Sequence, residues 1–446
     1  MMNKQAIVIG LGAMLALPLV AWASDGAMQG DGTSLEAMIA EAESRSEELS
    51  ALQDRIAAAE AMVRPARALP DPMASAGLQN IPVGKGIQLD QDMMSSVMLM
   101  LSQEVPPGET RRLRGDVQGD EAAMLQAQWE DRRNDIVRRV KRAYIDVQYR
   151  EAALAIAQQN QELSQEMLST AEARYATGRG TQQDVFQAQV RLSRMIDMVV
   201  MQKRERAAAA TRLNKLLYRP PDREVPKLEP LVKTPVEVQA ESLRARTLEA
   251  NPQLREMVTR VAQAAKSERL AKLGLRPNLN FAFTYMIRDQ LEMDPNSGDD
   301  MWSATVGLNL PWVYRRDKVD QEVKAAGSTH SAAESDVAAM QNELSAMVDE
   351  LLIDIGRAEE QLSLVETGLL PQAEGAYSAS RTAYSTGKSG FLSLLDDQMN
   401  LANLELERVT LLADHERSVA EVEYTAGGSI EGAATAQGQE VSSDGS

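Results

Sequence analysis

Cysteine is absent from the 446-residue chain. This absence excludes disulfide bonds, zinc–thiolate sites, iron–sulfur clusters, thiol catalysis and a lipid anchor on an N-terminal cysteine. Aromatic residues are also scarce, with four Phe and four Trp, and this composition favours long helices over a large aromatic core. Acidic residues outnumber basic ones 65 to 47, giving a net charge of −18. So acidic a chain is a poor candidate for binding nucleic acid, which requires a basic surface.

The N-terminus has the pattern of an export signal. Lys4 precedes an apolar run over residues 6–20, and Ala21 and Ala23 are the small residues of a cleavage site. This pattern predicts a signal peptide over residues 1–23; the alternative is an N-terminal membrane anchor. No later stretch reaches about 18 consecutive apolar residues, so no further transmembrane helix is predicted.

The chain repeats itself. "YATGRGTQQDVFQAQ" at residues 175–189 is similar to "YSTGKSGFLSLLDDQ" at residues 384–398, at an offset of 209. Leu49 pairs with Leu254, and Pro106 with Pro311, at an offset of 205. Because the offset changes only from 205 to 209 along the chain, the sequence indicates two copies of one unit. We predict a first repeat over residues 24–217, a proline-rich connector over 218–240, a second repeat over 241–425 and a disordered tail over 426–446.

Each repeat is predicted to contain a long helical hairpin. No proline occurs between Pro107 and Pro220 or between Pro311 and Pro371, and residues 111–176 are predicted to form one helix. Glycines then mark two hairpin tips, at about 176–184 and 385–393. Beyond each tip the apolar spacing alternates three and four, which is typical of a coiled coil. The predicted seam positions are Val185, Ala188, Leu192, Met195 and Val199, and then Leu394, Asp397, Leu401, Leu404 and Leu411.

Four shorter segments have the two-residue period of β-strands. They lie at about residues 73–80, 94–105, 278–288 and 301–311. Their length suits strands that cross an outer membrane, and the alternative is a soluble sheet. Four strands do not close a barrel, whereas three chains would supply twelve.

No catalytic motif is present, so the chain is not predicted to be an enzyme, and no cofactor is expected. Three methionines, Met94, Met98 and Met100, fall on one face of the second strand segment. Thioethers suit soft ions such as Cu(I) or Ag(I), although such a stripe also serves as adaptable packing. The acids Asp184 and Asp397 follow the two tips. Carried on an inward seam of a trimer, such acids form rings that filter ions.

These features resemble the TolC family of outer-membrane efflux proteins over essentially the whole mature chain. The duplicated halves, the Tyr-x-x-Gly tips and the paired strands carry the resemblance. It implies a mainly α fold with a β-barrel part: a homotrimer in which a twelve-stranded barrel in outer-membrane lipid continues into an α-helical coiled-coil tunnel across the periplasm. The tips would form a closable mouth where a periplasmic adaptor docks.

Two further stretches resemble the heavy-metal, Cus- and Czc-like subgroup: "LPDPMASAGLQNIP" and "SQEVPPGETRRLRG". This resemblance implies an exit channel for an inner-membrane RND pump that exports cations, with Cu(I) and Ag(I) favoured over Zn, Co and Cd. One alternative is a TolC-like channel for multidrug efflux or type I secretion. Another is a soluble periplasmic coiled-coil scaffold.

The resemblance also assigns residues at the tips. Asp396 corresponds to an acid of the family's periplasmic gate, and Asp184 and Tyr384 correspond to members of its closing bond network. The arginine position of that network is Ser389 here, so Lys388 is expected to substitute. A second gate acid is replaced by Ser393, while Asp397 adds a carboxylate. The remaining predicted tip residues are Tyr175, Gly178 and Gly387.

Overall fold

The computed structural model describes residues 34–82, 89, 92, 94–290 and 298–430. The predicted signal peptide, residues 1–23, lies outside the described residues, as do residues 431–446 of the predicted tail.

The same series of elements occurs twice along the chain. The first copy contains α1 (Leu35–Arg45), α2 (Glu47–Arg67), β1 (Met73–Gln79), β2 (Ser96–Val105), α3 (Gly108–Ala176) and α4 (Gln182–Leu216). The second contains α5 (Ala240–Ala250), α6 (Pro252–Lys272), β3 (Leu279–Ile287), β4 (Met301–Leu308), α7 (Pro311–Tyr314), α8 (Arg316–Leu364), α9 (Leu370–Thr386) and α10 (Phe391–Thr425). Equivalent helices have equal lengths: 11 residues in α1 and α5, 21 in α2 and α6, and 35 in α4 and α10. The architecture is therefore mainly α and duplicated.

The duplication extends to the helix caps. The Ser46 side chain accepts from the backbone N–H of Leu49 at 3.3 Å, and the Asn251 side chain accepts from that of Leu254 at 3.0 Å. Each bond satisfies an N–H that the first turn of the helix leaves without a partner. Both leucines are buried. The 205-residue offset thus marks a cap that is built the same way in both copies.

The first arm of the long hairpin is built differently in the two copies. In the first copy, α3 is a single helix of 69 residues, about 100 Å long at ~1.5 Å per residue. In the second, α8 and α9 are joined by one π-helical turn, Val365–Leu369. Pro371 explains this turn, because proline has no N–H and its ring clashes with the carbonyl four residues earlier. A wider turn relieves that clash without ending the helix.

The predicted seam lies against the core near the tips. Ala188, Met195, Val199, Leu394 and Leu401 are buried. The partly buried Val185, Leu192 and Leu404 pack against a cluster that includes Tyr384 and Phe391. Asp397 is the polar exception: it is half-buried and accepts a hydrogen bond from the Ser380 hydroxyl.

The four strands form one antiparallel sheet in the order β1-β2-β3-β4. The central pair, β2 and β3, joins the two copies, with Val97 opposite Ile287 and Val105 opposite Leu279. The outer strands β1 and β4 form the two edges. The strand predicted at 94–105 begins two residues later, at Ser96. The strand predicted at 301–311 ends at Leu308, because Pro311 begins α7.

The connector between the copies, residues 218–239, contains no helix or strand and is held by side chains. Glu416 on α10 accepts from the backbone N–H and the hydroxyl of Thr234, at 2.7 and 2.8 Å. Burial alone would raise the pKa of the Glu416 carboxyl. Hydrogen bonds from His415 and Thr234 outweigh it and hold this pKa below its usual value.

The prediction of a disordered tail from residue 426 onward is wrong for the first residues of that tail. Ala426 and Ile430 are buried in a cluster with Leu243 and Val348. The Arg246 guanidinium donates to the Ser429 carbonyl at 2.6 Å. These contacts attach the end of α10 to α5 and α8, which the polar composition of the tail does not reveal. Within the described residues, no helix is both long and apolar enough to cross a membrane.

Candidate functional site

Two tight turns form the tips of the helical hairpins. The first connects α3 to α4 through residues 177–181, and the second connects α9 to α10 through residues 387–390. Gly178 has φ +70° and Gly387 has φ +79°, values that favour glycine because it lacks a β-carbon. In the second tip the N–H groups of Gly387 and Lys388 donate to the last helical carbonyls at 3.0 and 2.8 Å. This glycine C-cap ends α9 and turns the chain back.

Tyr384 is the central residue of the paired tips. Its side chain is 1% exposed and packs edge-to-face against Phe391, with ring centroids 5.5 Å apart. Its hydroxyl donates to Asp184 Oδ2 at 3.4 Å. Burial and the charge of Asp184 raise the pKa of Tyr384 to about 12, against the opposing effect of Arg174. Tyr384 is therefore neutral and a hydrogen-bond donor at physiological pH.

Asp184 links the two tips of one chain. It lies in the first turn of α4, where a negative charge interacts favourably with the helix N-terminus. Its Oδ1 accepts from the Thr181 hydroxyl at 2.9 Å, and its backbone N–H donates to Thr181 Oγ1 at 3.2 Å. Its Oδ2 accepts from Tyr384. One carboxylate is therefore fixed by the first tip and bonded to the second.

The cation beside Tyr384 is Arg174, which was not among the predicted tip residues. The Arg174 guanidinium lies 4.5 Å from the centre of the Tyr384 ring, a favourable cation–π geometry. Its Nη2 donates to the Arg179 carbonyl at 2.9 Å. Lys388 was expected to supply this cation. In this chain its side chain is exposed, and the guanidinium over the ring belongs to Arg174.

The repeat equivalents show how the two tips have diverged. Tyr175 is the counterpart of Tyr384, yet its side chain is 50% exposed. At the same offset of 209, the counterpart of Arg174 is Ala383. The cation is therefore present in only one copy, and this asymmetry was the available sequence signal for Arg174.

The other predicted gate residues lie outside this cluster. Asp396 is exposed on α10, and among the described residues no hydrogen bond or ion pair connects it to Tyr384 or Asp184. Asp397 is bonded to Ser380 on α9. Ser393 is exposed, and the Ser389 hydroxyl makes a 3.4 Å contact with the carbonyl of Gly390. The structure thus brings Asp184, Tyr384 and Gly387 together and leaves the two α10 acids apart from them.

An apolar groove lies beside the tips between α4 and α10. Its volume is about 540 Å³, and its apolar lining includes Phe186, Val190, Leu392 and Met399. All four side chains are exposed. Exposed apolar side chains grouped in this way are typical of a surface that binds a protein, a membrane or a ligand.

The sheet presents two chemically different faces. Phe281, Phe283 and Trp302 lie on one face and are exposed, with Phe283 and Trp302 stacked at a centroid distance of 6.1 Å. The register places Met98 and Met100 on the opposite face. Met94, predicted to share the strand with them, instead lies before β2 in an exposed turn, where its carbonyl accepts from Asn80.

The sequence of this chain matches one known protein family. The family model described as outer membrane efflux protein matches residues 38–217 and 243–428, and these segments correspond to the two copies. No curated protein sequence matches the chain.

Solved structures share the fold at low sequence identity. VceC, an outer membrane protein of Vibrio cholerae, is 18% identical and has a TM-score of 0.74, with 89% of this chain and 97% of that chain covered. CusC, described in connection with transmembrane channel formation, is 16% identical and has a TM-score of 0.74, with 89% and 92% covered. The MtrE outer membrane channel of Neisseria gonorrhoeae, in its open state, is 17% identical and has a TM-score of 0.72, with 89% and 90% covered. The duplicated helical hairpins and four strands are thus the fold of these outer-membrane proteins.

Proposed function

This chain belongs to the outer membrane efflux protein family, and we propose that it is the exit channel of a tripartite RND pump that exports heavy-metal cations. Members of the family are channels and not enzymes. In this proposal three chains assemble around one pore. Their sheets lie in the outer membrane, and their helical hairpins extend through the periplasm to an adaptor.

The observation that carries the proposal is the four-stranded sheet with one exposed apolar face. Leu279, Phe281 and Phe283 on β3 and Trp302 and Val306 on β4 all lie on that face and are exposed. Strands of this length with an apolar outer face are typical of outer-membrane proteins. The edge strand β1 of one chain would pair with β4 of the next, so that three chains give a closed set of twelve strands without a free edge.

The helical hairpins supply the rest of the channel. A 69-residue α3 is about 100 Å long, which places the tips far from the sheet. A long passage of this kind needs no catalytic group, only a wall and a controlled opening. We assign the opening to the tips, where the Asp184–Tyr384 bond holds the two hairpins of each chain together.

The groove beside the tips is the proposed docking surface for the adaptor. Its apolar side chains, among them Phe186 and Leu392, are flanked by Arg191 and Arg194. A helical hairpin that presents apolar residues with acidic neighbours would fit this surface. Binding there would separate α4 from α10 and lengthen the Asp184–Tyr384 bond, which couples docking to opening.

The substrate class is proposed from the two stretches that resemble the heavy-metal subgroup and from the methionines of the sheet. Cu(I) and Ag(I) are favoured over Zn, Co and Cd because thioethers are soft ligands. Growth of a deletion strain in copper, silver, zinc, cobalt, cadmium and dyes tests this assignment. Sensitivity to copper and silver supports it. Sensitivity to dyes alone would contradict the metal assignment and favour a multidrug channel.

A further inference from the structure

The methionines of the sheet are distributed unevenly between its two faces. The strands contain five: Met73 on β1, Met98 and Met100 on β2, Met286 on β3 and Met301 on β4. The strand register places all five on the same face. The opposite face is the apolar one, with Leu, Val, Phe, Tyr, Ile and Trp and no methionine.

Three of these methionines form a row across neighbouring strands. Met98 is directly opposite Met286, and Met286 is directly opposite Met301. The row ends at Gly77 on β1, opposite Met98, and the Met98 methyl carbon lies 3.8 Å from the position of a Gly77 β-carbon. Adjacent strands are about 4.8 Å apart. Three flexible thioethers from one chain can therefore converge on a single ion.

The methionine face is the more sheltered face of the sheet. On β3, Thr284 is buried and Met286 is half-buried, whereas Phe281, Phe283 and Tyr285 are exposed. The other residues of the methionine face are Ser75, Gly77, Gln79, Ser96, Ser102, Glu104, Asn280, Ala282, Thr284, Ser303, Thr305 and Gly307. This face carries a single charged residue, Glu104. Its thioether sulfurs are softer donors than the hydroxyl, amide and carboxylate oxygens around them.

Packing alone does not account for this distribution. Methionine used as an adaptable apolar residue belongs where apolar surface is needed, and that need is met by the opposite face. Here the methionines lie instead among serine, threonine and glycine. Soft thioether sulfur in such surroundings is suited to Cu(I) or Ag(I) and poorly suited to Zn(II) or Co(II).

We propose that Met98, Met286 and Met301 form a binding site for a soft monovalent cation, Cu(I) or Ag(I), on the inner face of the sheet. This inference rests on the proposed function, because only a channel with its apolar face toward lipid directs this row into the pore. Three chains would place nine thioethers at one level of the passage. Such a ring contacts the departing cation and releases it, since conduction requires weak, repeated contacts.

The test begins with the full-length wild-type protein, purified in detergent and titrated with Ag(I) in chloride-free buffer. Bound silver is measured by elemental analysis after gel filtration. The variant Met98→Leu/Met286→Leu/Met301→Leu keeps the volume and removes the sulfurs. We expect its silver affinity to fall at least tenfold. The matched control, Met62→Leu/Met198→Leu/Met201→Leu, removes three exposed methionines from the helices and should bind as the wild type does.

A second measurement needs no variant and so does not depend on folding. Wild-type protein is treated with hydrogen peroxide, which oxidises accessible methionine to its sulfoxide, with and without Ag(I). Peptide mass spectrometry then reports each residue. Silver is expected to protect Met98, Met286 and Met301 and to leave Met198 and Met201 unprotected. Equal protection at all five, or none in the row, would overturn the site.

Growth separates this inference from the proposed function. If silver binds the row but the deletion strain tolerates copper and silver normally, the site is supported and the proposed substrate is contradicted. If the strain is silver-sensitive and the triple leucine variant restores growth and binds silver as the wild type does, the site is overturned. In that second case the proposed metal export still holds.

Discussion

Replacing Tyr384 by Phe removes a single hydroxyl from the centre of the paired tips. The ring keeps its edge-to-face contact with Phe391 and its position beneath Arg174. What is lost is the hydrogen bond to Asp184, which is one of the contacts between the second tip and the first. The substitution therefore isolates one bond from the packing around it.

The expected magnitude follows from the geometry. A hydrogen bond to a charged acceptor contributes about 1.5–3 kcal/mol. The separation between the Tyr384 hydroxyl and Asp184 Oδ2 is 3.4 Å, longer than the usual O–H···O distance of about 2.5–3.0 Å, so we expect about 1 kcal/mol per copy. Because about 1.4 kcal/mol changes an equilibrium tenfold, the open-to-closed ratio of each tip pair should rise about fivefold.

The assay is the conductance of the purified protein in planar lipid bilayers. Tyr384→Phe is expected to increase the open fraction. Asp184→Ala combined with Tyr384→Phe should raise it at least as much, because the contact with Thr181 is lost as well. Tyr175→Phe is the matched control, since it makes the same change at the exposed repeat equivalent. If Tyr384→Phe conducts as the wild type does, or if Tyr175→Phe raises conductance equally, the Tyr384–Asp184 bond does not hold the tips closed.

Three further outcomes are expected. Gly387→Ala forces a side chain into φ +79°, at about 1–2 kcal/mol, and should accelerate tryptic cleavage of the second tip; Gly390→Ala, at φ −78° with open space around it, should not, and equal rates would contradict the strain argument. Because the pKa of Glu416 is lowered on folding, its bonds to the connector stabilise the protein above about pH 4.5 and are lost as the pH falls through the folded pKa. Glu416→Gln should therefore lower Tm by several degrees near neutral pH, with a gap that closes in acid; a gap independent of pH would be the contrary result. Phe283→Arg on the apolar face, at about 2–4 kcal/mol in lipid, should deplete the protein from the outer-membrane fraction, whereas Thr305→Arg on the opposite face should not, and equal depletion would argue against the assigned orientation.

The sequence predicted those parts of the fold that depend on local patterns. Proline-free stretches defined the long helices, and the two-residue period located the strands. A nearly constant offset revealed the duplication, and the pairing of Leu49 with Leu254 reflects equivalent helix caps at Ser46 and Asn251. Each of these signals is a pattern along the sequence itself, so it can be recognised without knowing which distant segments are in contact.

Contacts between distant segments were beyond such patterns. Arg174 and Tyr384 are far apart in the chain, and nothing local indicates that the guanidinium covers that ring rather than Lys388. The methionine row depends on the register between strands, so Met286 and Met301 were not associated with Met98. The contacts of Ile430 likewise come from α5 and α8, and composition alone led to a prediction of disorder there.

Native mass spectrometry of the protein extracted from fractionated cells tests directly whether three of these chains form one channel in the outer membrane. We expect a trimer recovered from the outer-membrane fraction, with the 1–23 segment removed. A monomer or dimer released with the soluble periplasmic fraction would contradict it and would favour a soluble coiled-coil scaffold.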